Sequence, residues 1–219
     1  MAKVIIFGTR DLAELAHYYL SADSEHEVVA FTVHSKYMES PMFKNLPVVP
    51  FDTINKKYSP SEYSLFAPMI GTKMNQLRAN VFNEGKSKGY KFISYVSSKA
   101  TLFDNEIGEN CFILEDNTIQ PFTKIGNNVI LWSGNHIGHH GEIKDHVFFT
   151  SHVVMSGHCI IESFSFFGVN STIRDGCHVS KGTLLAMGAS LTKQTTEEWG
   201  VYLGNPARKQ EGKKSFDVF

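Results

Sequence analysis

The chain has 219 residues, 42% of them hydrophobic, and its 21 Lys and Arg stand against 22 Asp and Glu for a formal charge of −1. That length holds one large domain or two small ones, and the near-balance of charge excludes non-specific nucleic-acid binding, which needs a basic surface. No apolar run approaches a membrane span, and the first one, Val4 to Phe7, reads as a strand rather than the core of a signal peptide. Three cysteines (Cys111, Cys159, Cys177) without a CxxC spacing suggest reduced thiols and a cytoplasmic location.

Residues 1 to about 97 alternate strand and helix patterns. Lys3 to Phe7 is a strand ending at Gly8, and a helix follows with Leu12, Leu15, Ala16 and Tyr19 on one face. Val28 to Val33 and Tyr63 to Ile70 read as further strands, the latter ending at Gly71. Asn75 to Ser87 fits a helix with Leu77, Val81 and Phe82 inward, and Lys91 to Val96 reads as a last strand. Such alternation implies a small parallel sheet with covering helices, a Rossmann-like α/β unit over 1–97. Gly8, Thr9, Arg10 and Asp11 join the first strand to the first helix, where free amides can hold a phosphate; the G-x-G-x-x-G fingerprint is absent, which argues against NAD.

From residue 107 the period becomes six. Every sixth residue from Ile107 to Leu191 is apolar, fifteen positions in succession. Four residues after each comes a mostly small one, from Cys111 to Ala189, and pairs such as Asn127-Asn128, Ser133-Gly134 and Asp175-Gly176 fall where turns are needed. Self-similarity of this kind marks a solenoid. The expected form is a left-handed parallel β-helix over 98–219: a triangular prism of about five coils, eighteen residues each, with large aliphatics stacked inside. All three cysteines fall at the small inward position, as packing residues. After Leu191 the rhythm stops; the tail is expected to fold back beside the last coil, and residues beyond about 210 to be loose.

Six histidines crowd into 136–158. His140, His146, His152 and His158 recur every six residues at the second corner position, so consecutive ones lie on different edges and only His140 and His158 stack on one. Three readings stand: surface corner residues, chosen for His146 and His152; a zinc site, for which spacing shows no convergence of ligands; and a general base, for which His139-His140 is the best local pair.

The glycine turn after the first strand, the hexads, the histidine at the third place of its hexad and the closing Gly204-Asn205-Pro206-Ala207-Arg208 together resemble the left-handed β-helix nucleotide-sugar acetyltransferases. These include bacillosamine-precursor, perosamine and 4-amino-4,6-dideoxyglucose N-acetyltransferases and sialic acid O-acetyltransferases. The resemblance implies acetyl-CoA as co-substrate, no metal, a homotrimer, and a nucleotide-linked amino sugar, with dTDP-4-amino-4,6-dideoxyglucose favoured, for O-antigen or other lipopolysaccharide synthesis. His139 takes the base's place, and His140 stands where an acidic orienting residue is usual. Gly157, one coil above His139, is implied near the oxyanion, and Lys193 and Arg208 near the CoA phosphates. Gly8, Thr9 and Arg10, then His34 and Ser35, then Gly71, Thr72 and Lys73 would hold the nucleotide. The alternatives are sugar O-acetylation, a zinc hydratase, and a non-catalytic trimeric scaffold.

Overall fold

The computed structural model describes residues 1–219. Its first sheet runs β3-β4-β2-β1-β5, where β1 is Lys3–Phe7, β2 Glu27–Val33, β3 Met42–Phe43, β4 Leu46–Pro50 and β5 Tyr63–Phe66. β1 pairs in parallel with β2 and β5, β2 in parallel with β4, and β3 turns back antiparallel on β4. The β3–β4 hairpin escapes the sequence reading because its turn, Lys44-Asn45, reaches positive φ (48° and 61°) without the Asn-Gly or Asp-Gly pair that announces such turns.

Two helices cover this sheet, and each buries part of the face expected: Ala16 on the first and Val81 and Phe82 on the second turn inward, while other residues expected there do not. α1 (Asp11–Ala22) turns Ala13, Ala16 and Leu20 inward, with Leu12, Leu15 and Tyr19 only half-buried. The small residues win because the helix lies close to β1: a Cβ on Gly8, whose φ is +119°, would stand 3.2 Å from that of Ala13. α2 (Gln76–Ser87) buries Arg78, Ala79, Val81 and Phe82, while Leu77 is exposed. Hydrophobic periodicity cannot anticipate Arg78. Its guanidinium is fully buried because it donates to the carbonyls of Met69 (3.0 Å), His146 (3.2 Å) and Val147 (3.2 Å). Burial pulls its pKa down to about 9, so it is still charged at neutral pH.

The expected last strand divides between two sheets. Phe92 makes a single bridge to Leu65, and then β6 (Tyr95–Val96) pairs with Phe112–Ile113, the first rung of the solenoid. From there the chain forms two-residue strands on three faces. One face stacks Phe112–Ile113, Ile130–Leu131, Phe148–Phe149, Phe166–Phe167 and Leu184–Leu185; the second runs from Thr118–Ile119 to Ser190–Leu191, the third from Lys124–Ile125 to His178–Val179. Partners differ by eighteen residues throughout, as in Ile130↔Phe148 and His136↔Val154. This is the left-handed parallel β-helix that the hexads imply.

The corners explain the recurring histidines. Every sixth residue from Asn110 to Gly188 has positive φ, between 54° and 78°. Asn, Asp, His and Gly tolerate that region far better than other residues, and they fill every such corner except Phe122 and Phe164. Inside, the apolar column is buried from end to end, with Phe149 and Phe167 stacked at 4.4 Å. Cys111, Cys159 and Cys177 are buried and free, and burial raises the first two thiols to about 11, which suits packing and not nucleophilic attack.

The α/β part sits on the first face. Phe112, Leu114, Ile130 and Phe148 share one apolar cluster with Val4, Ile6, Phe31 and Phe66. Tyr19 donates to Glu115 at 2.7 Å, and Asp23 accepts from Tyr95 and from the Ser98 amide. Hydrogen bonds from Ser98, then Tyr95, hold the Asp23 carboxyl down to about 2. His146, expected at the surface, is buried under this contact, between Phe82 and Phe164, with Nδ1 bonded to Asn128 at 2.9 Å. Its corner is the edge that the α/β part covers, which the period of six does not reveal.

The tail folds back beside the last coil, as expected, but its end is not loose. Gly200–Leu203 extends the first face, and Arg208–Lys214 returns antiparallel along it. Residues beyond 210 are anchored: Ser215 is buried and donates to the Gly182 carbonyl, and Phe219 packs on Phe166 at 4.2 Å. No helix is long and apolar enough to cross a membrane.

Candidate active site

The edge between the second and third faces carries His139, His140 and His158. Coil-to-coil bonds set their height: the His140 amide donates to the Pro121 carbonyl at 3.2 Å, and the His158 amide to the His139 carbonyl at 2.9 Å. Nδ1 of His139 lies 3.0 Å from Nδ1 of His140, so one of the two donates. The rings of His140 and His158 stack at 5.0 Å with 18° between planes, as their eighteen-residue separation requires, and the His139 ring stands edge-on to both. All three are exposed.

Glycine makes room for the His139 ring. A Cβ on Gly157 would meet its Cε1 at 2.8 Å and its Nε2 at 3.0 Å. The Gly157 amide donates to no protein acceptor. An imidazole whose Nδ1 proton is given to His140 keeps its lone pair on Nε2, beside that unengaged N–H. A proton acceptor and a free hydrogen-bond donor on neighbouring residues are the minimum for acyl transfer through an oxyanion. Lys193 is exposed just after the last strand of the second face, beyond the end of the regular hexads. Arg208 opens the returning tail strand and is exposed.

A second concavity lies at the C-terminal ends of β1, β2 and β5, the usual place for ligands in a parallel α/β sheet. It encloses about 660 Å³. Gly8, Thr9 and Arg10 line it, as the sequence reading placed them. The rest of its wall was missed: Tyr37 and Glu39 come from the loop after β2, and Pro68, Met69 and Ile70 from the segment after β5. Arg10 reaches across the mouth to Glu39 at 2.9 Å.

Five expected residues fall outside this lining. His34 packs edge-on against Phe7 and Phe51 and bonds Glu84 at 2.9 Å. Ser35 is committed to Asp52 through both its amide and its hydroxyl, at 2.6 Å each, which holds the Asp52 carboxyl at about 2. Gly71 is buried beneath Phe166 and Phe219, and Thr72 and Lys73 lead from it toward α2. These five lie at or near the strand ends that open on the concavity, but which side chain turns into it depends on partners such as Glu84 and Asp52, remote in sequence.

Residues 106–139 match the bacterial transferase hexapeptide (six repeats) family. A curated relative, an acyl-[acyl-carrier-protein]–UDP-N-acetylglucosamine O-acyltransferase from Sinorhizobium fredii, is 26% identical over 107 residues, 46% of this chain. The aligned part spans only 39% of that relative's length. Solved structures extend the likeness to the whole fold. PerB from Caulobacter crescentus, in complex with CoA and GDP-perosamine, superposes with a TM-score of 0.82 at 18% identity, over 96% of this chain and 98% of that one. The acetyltransferase domain of PglB from Neisseria gonorrhoeae gives 0.82 at 16% identity, over 96% and 100%. WeeI from Acinetobacter baumannii gives 0.80 at 19% identity, over 96% and 100%.

Proposed function

We propose that this protein transfers the acetyl group of acetyl-CoA to the C4 amine of a nucleotide-linked 4-amino-4,6-dideoxyhexose, with dTDP-4-amino-4,6-dideoxyglucose the favoured acceptor, in surface-polysaccharide synthesis. The observation that carries the reading is the His139 ring packed over Gly157, whose amide donates to no protein acceptor, on an exposed prism edge. The strand-end cleft, with Gly8, Thr9 and Arg10, supports a phosphate-bearing substrate. The full-length likeness to a protein solved with CoA and GDP-perosamine supports the substrate pair.

In this reading the amine nitrogen attacks the thioester carbonyl carbon. The carbonyl oxygen takes the negative charge and accepts from the Gly157 amide. His139 Nε2 removes the proton of the new C–N bond's ammonium, the C–S bond breaks, and the CoA thiolate leaves and is protonated. The products are an N-acetylated nucleotide sugar and CoA. His140 holds the His139 tautomer through the Nδ1 contact, the task an acidic neighbour would otherwise perform. Lys193, and Arg208 from the tail, supply cations for the CoA phosphates.

The reading also requires more than one chain. The α/β part covers the first face of the prism, and His139 stands on the opposite edge. The cleft and the base of one chain therefore point apart, and a homotrimer joins the cleft of one subunit to the histidine edge of its neighbour. Residues 1–97 then serve as the sugar-nucleotide unit and 98–219 as the acyl-transfer unit.

The test is CoA release, followed with a thiol reagent, from acetyl-CoA and a panel of dTDP-, UDP- and GDP-linked 4-amino-4,6-dideoxy sugars with sialic acid as hydroxyl acceptor. Turnover with one amino sugar that collapses in His139→Ala is the expected result. Turnover with the hydroxyl acceptor alone makes the protein an O-acetyltransferase, and no CoA release with any acceptor leaves the scaffold reading.

A further inference from the structure

The exposed edge holds something that base catalysis does not need: a third imidazole. His139, His140 and His158 each offer a ring nitrogen, and these atoms all lie within 4.8 Å of one another. We propose that this triad is a binding site for a divalent transition ion, zinc above all, and that the ion acts as an inhibitor and not as a cofactor.

Ligand chemistry and number fit. Neutral imidazole suits Zn²⁺, Cu²⁺ and Ni²⁺, and three histidines with an open fourth position for water make a tetrahedral site. Zn–N bonds of about 2.0–2.1 Å place tetrahedral ligand atoms roughly 3.4 Å apart. The His139–His140 Nδ1 separation of 3.0 Å is already close to that. The remaining nitrogens, at up to 4.8 Å, have to draw in, and the stacked rings of His140 and His158 have to tilt toward one point. Exposed side chains make such rotations freely, whereas the corner backbone beneath them is fixed: His140 and His158 have φ of 54° and 58° and are tied to the coils below. Each imidazole binds neutral. The donor of the His139–His140 bond presents its lone pair by moving its proton to its other nitrogen, so no net proton is lost.

Neither the period of six nor the pairing of His139 with His140 requires His158. Asn or Gly would serve at that corner, as at Asn128 and Gly176, and His158 is not needed to orient His139. Its stacking over His140 is what turns a pair into a chelate. An ion held there occupies the lone pair of His139 and removes the base, so occupancy stops acetyl transfer. The inhibition rests on the proposed function; the binding does not.

His158→Asn, which suits the left-handed corner, separates the two. Equilibrium dialysis against Zn²⁺, with Co²⁺ absorption in the visible as a report of coordination, is run on wild type and variant without acetyl-CoA or sugar. Wild type is expected to hold one ion per chain and His158→Asn to lose at least about tenfold in affinity, a loss that even removing a ligand's outer partner produces. Zinc inhibition of CoA release, with each protein's rate taken relative to its own ion-free rate, should weaken by the same factor. Equal retention by both proteins, or none by wild type, overturns the site. Because dialysis needs no turnover, its outcome stands whether or not the transferase reading does.

Discussion

Replacing Gly157 with alanine tests the placement of His139 without touching it. The backbone there is not left-handed, so alanine adopts it without strain. The new methyl would stand 2.8 Å from Cε1 of His139, where ordinary contact begins at 3.4 Å, so the ring must move by about 0.6 Å. His139 is exposed and can swing outward, which costs the fold little, and losing a glycine from the unfolded chain offsets part of that by about 0.4–1 kcal/mol. Catalysis is less forgiving: a misplacement of about 1 Å costs on the order of 100-fold, so the smaller shift predicts a fall in kcat/KM of about tenfold or more. That is about 1.4 kcal/mol of transition-state stabilisation. The assay is CoA release at subsaturating acceptor, beside a thermal melt of the same preparation. An unchanged melt with a tenfold loss is expected. An unchanged melt with full activity would refute the assignment of the base to the ring over Gly157.

Three further outcomes follow from the fold. Burial, its largest cause, pulls the His146 pKa down to about 4, so the unfolded chain takes up a proton near pH 6.5 that the folded one refuses until pH 4. The stability tied to His146 is thus fully present above pH 6.5 and lost as pH falls toward 4; guanidinium unfolding at pH 7 and pH 5 should show wild type losing about 2 kcal/mol more than His146→Asn over that interval. Arg78→Met takes a donor from the carbonyls of Met69 and His146, and a second one from that of Val147, which keeps the Ile130 amide; it should cost about 3 kcal/mol, read from the urea midpoint. At the corner residue His152, with φ of 57°, valine should destabilise by about 1–2 kcal/mol while glycine is nearly neutral, a contrast seen by melting both variants.

The β-helix was legible because it repeats. Each coil bonds to the next with a spacing of eighteen, so an apolar residue every sixth position and a turn-tolerant residue at all but two corners are conditions met locally, hexad by hexad. Fifteen hexads state them over and over. The same arithmetic placed His140 under His158 and Gly157 above His139, and the glycine turn after β1 located one wall of the cleft. The rest arose between segments far apart in the chain. His146 is buried because the α/β part covers its edge and not the next. Arg78 turns inward because carbonyls at Met69, His146 and Val147 converge on it, whereas His34 turns from the cleft because Glu84 is within reach. The tail is ordered because Phe166 and Gly182 receive Phe219 and Ser215. Periodicity determines what each residue does within its own repeat; which face, edge or cleft a neighbouring unit then covers depends on side-chain partners remote in sequence, and only the packed structure brings those together.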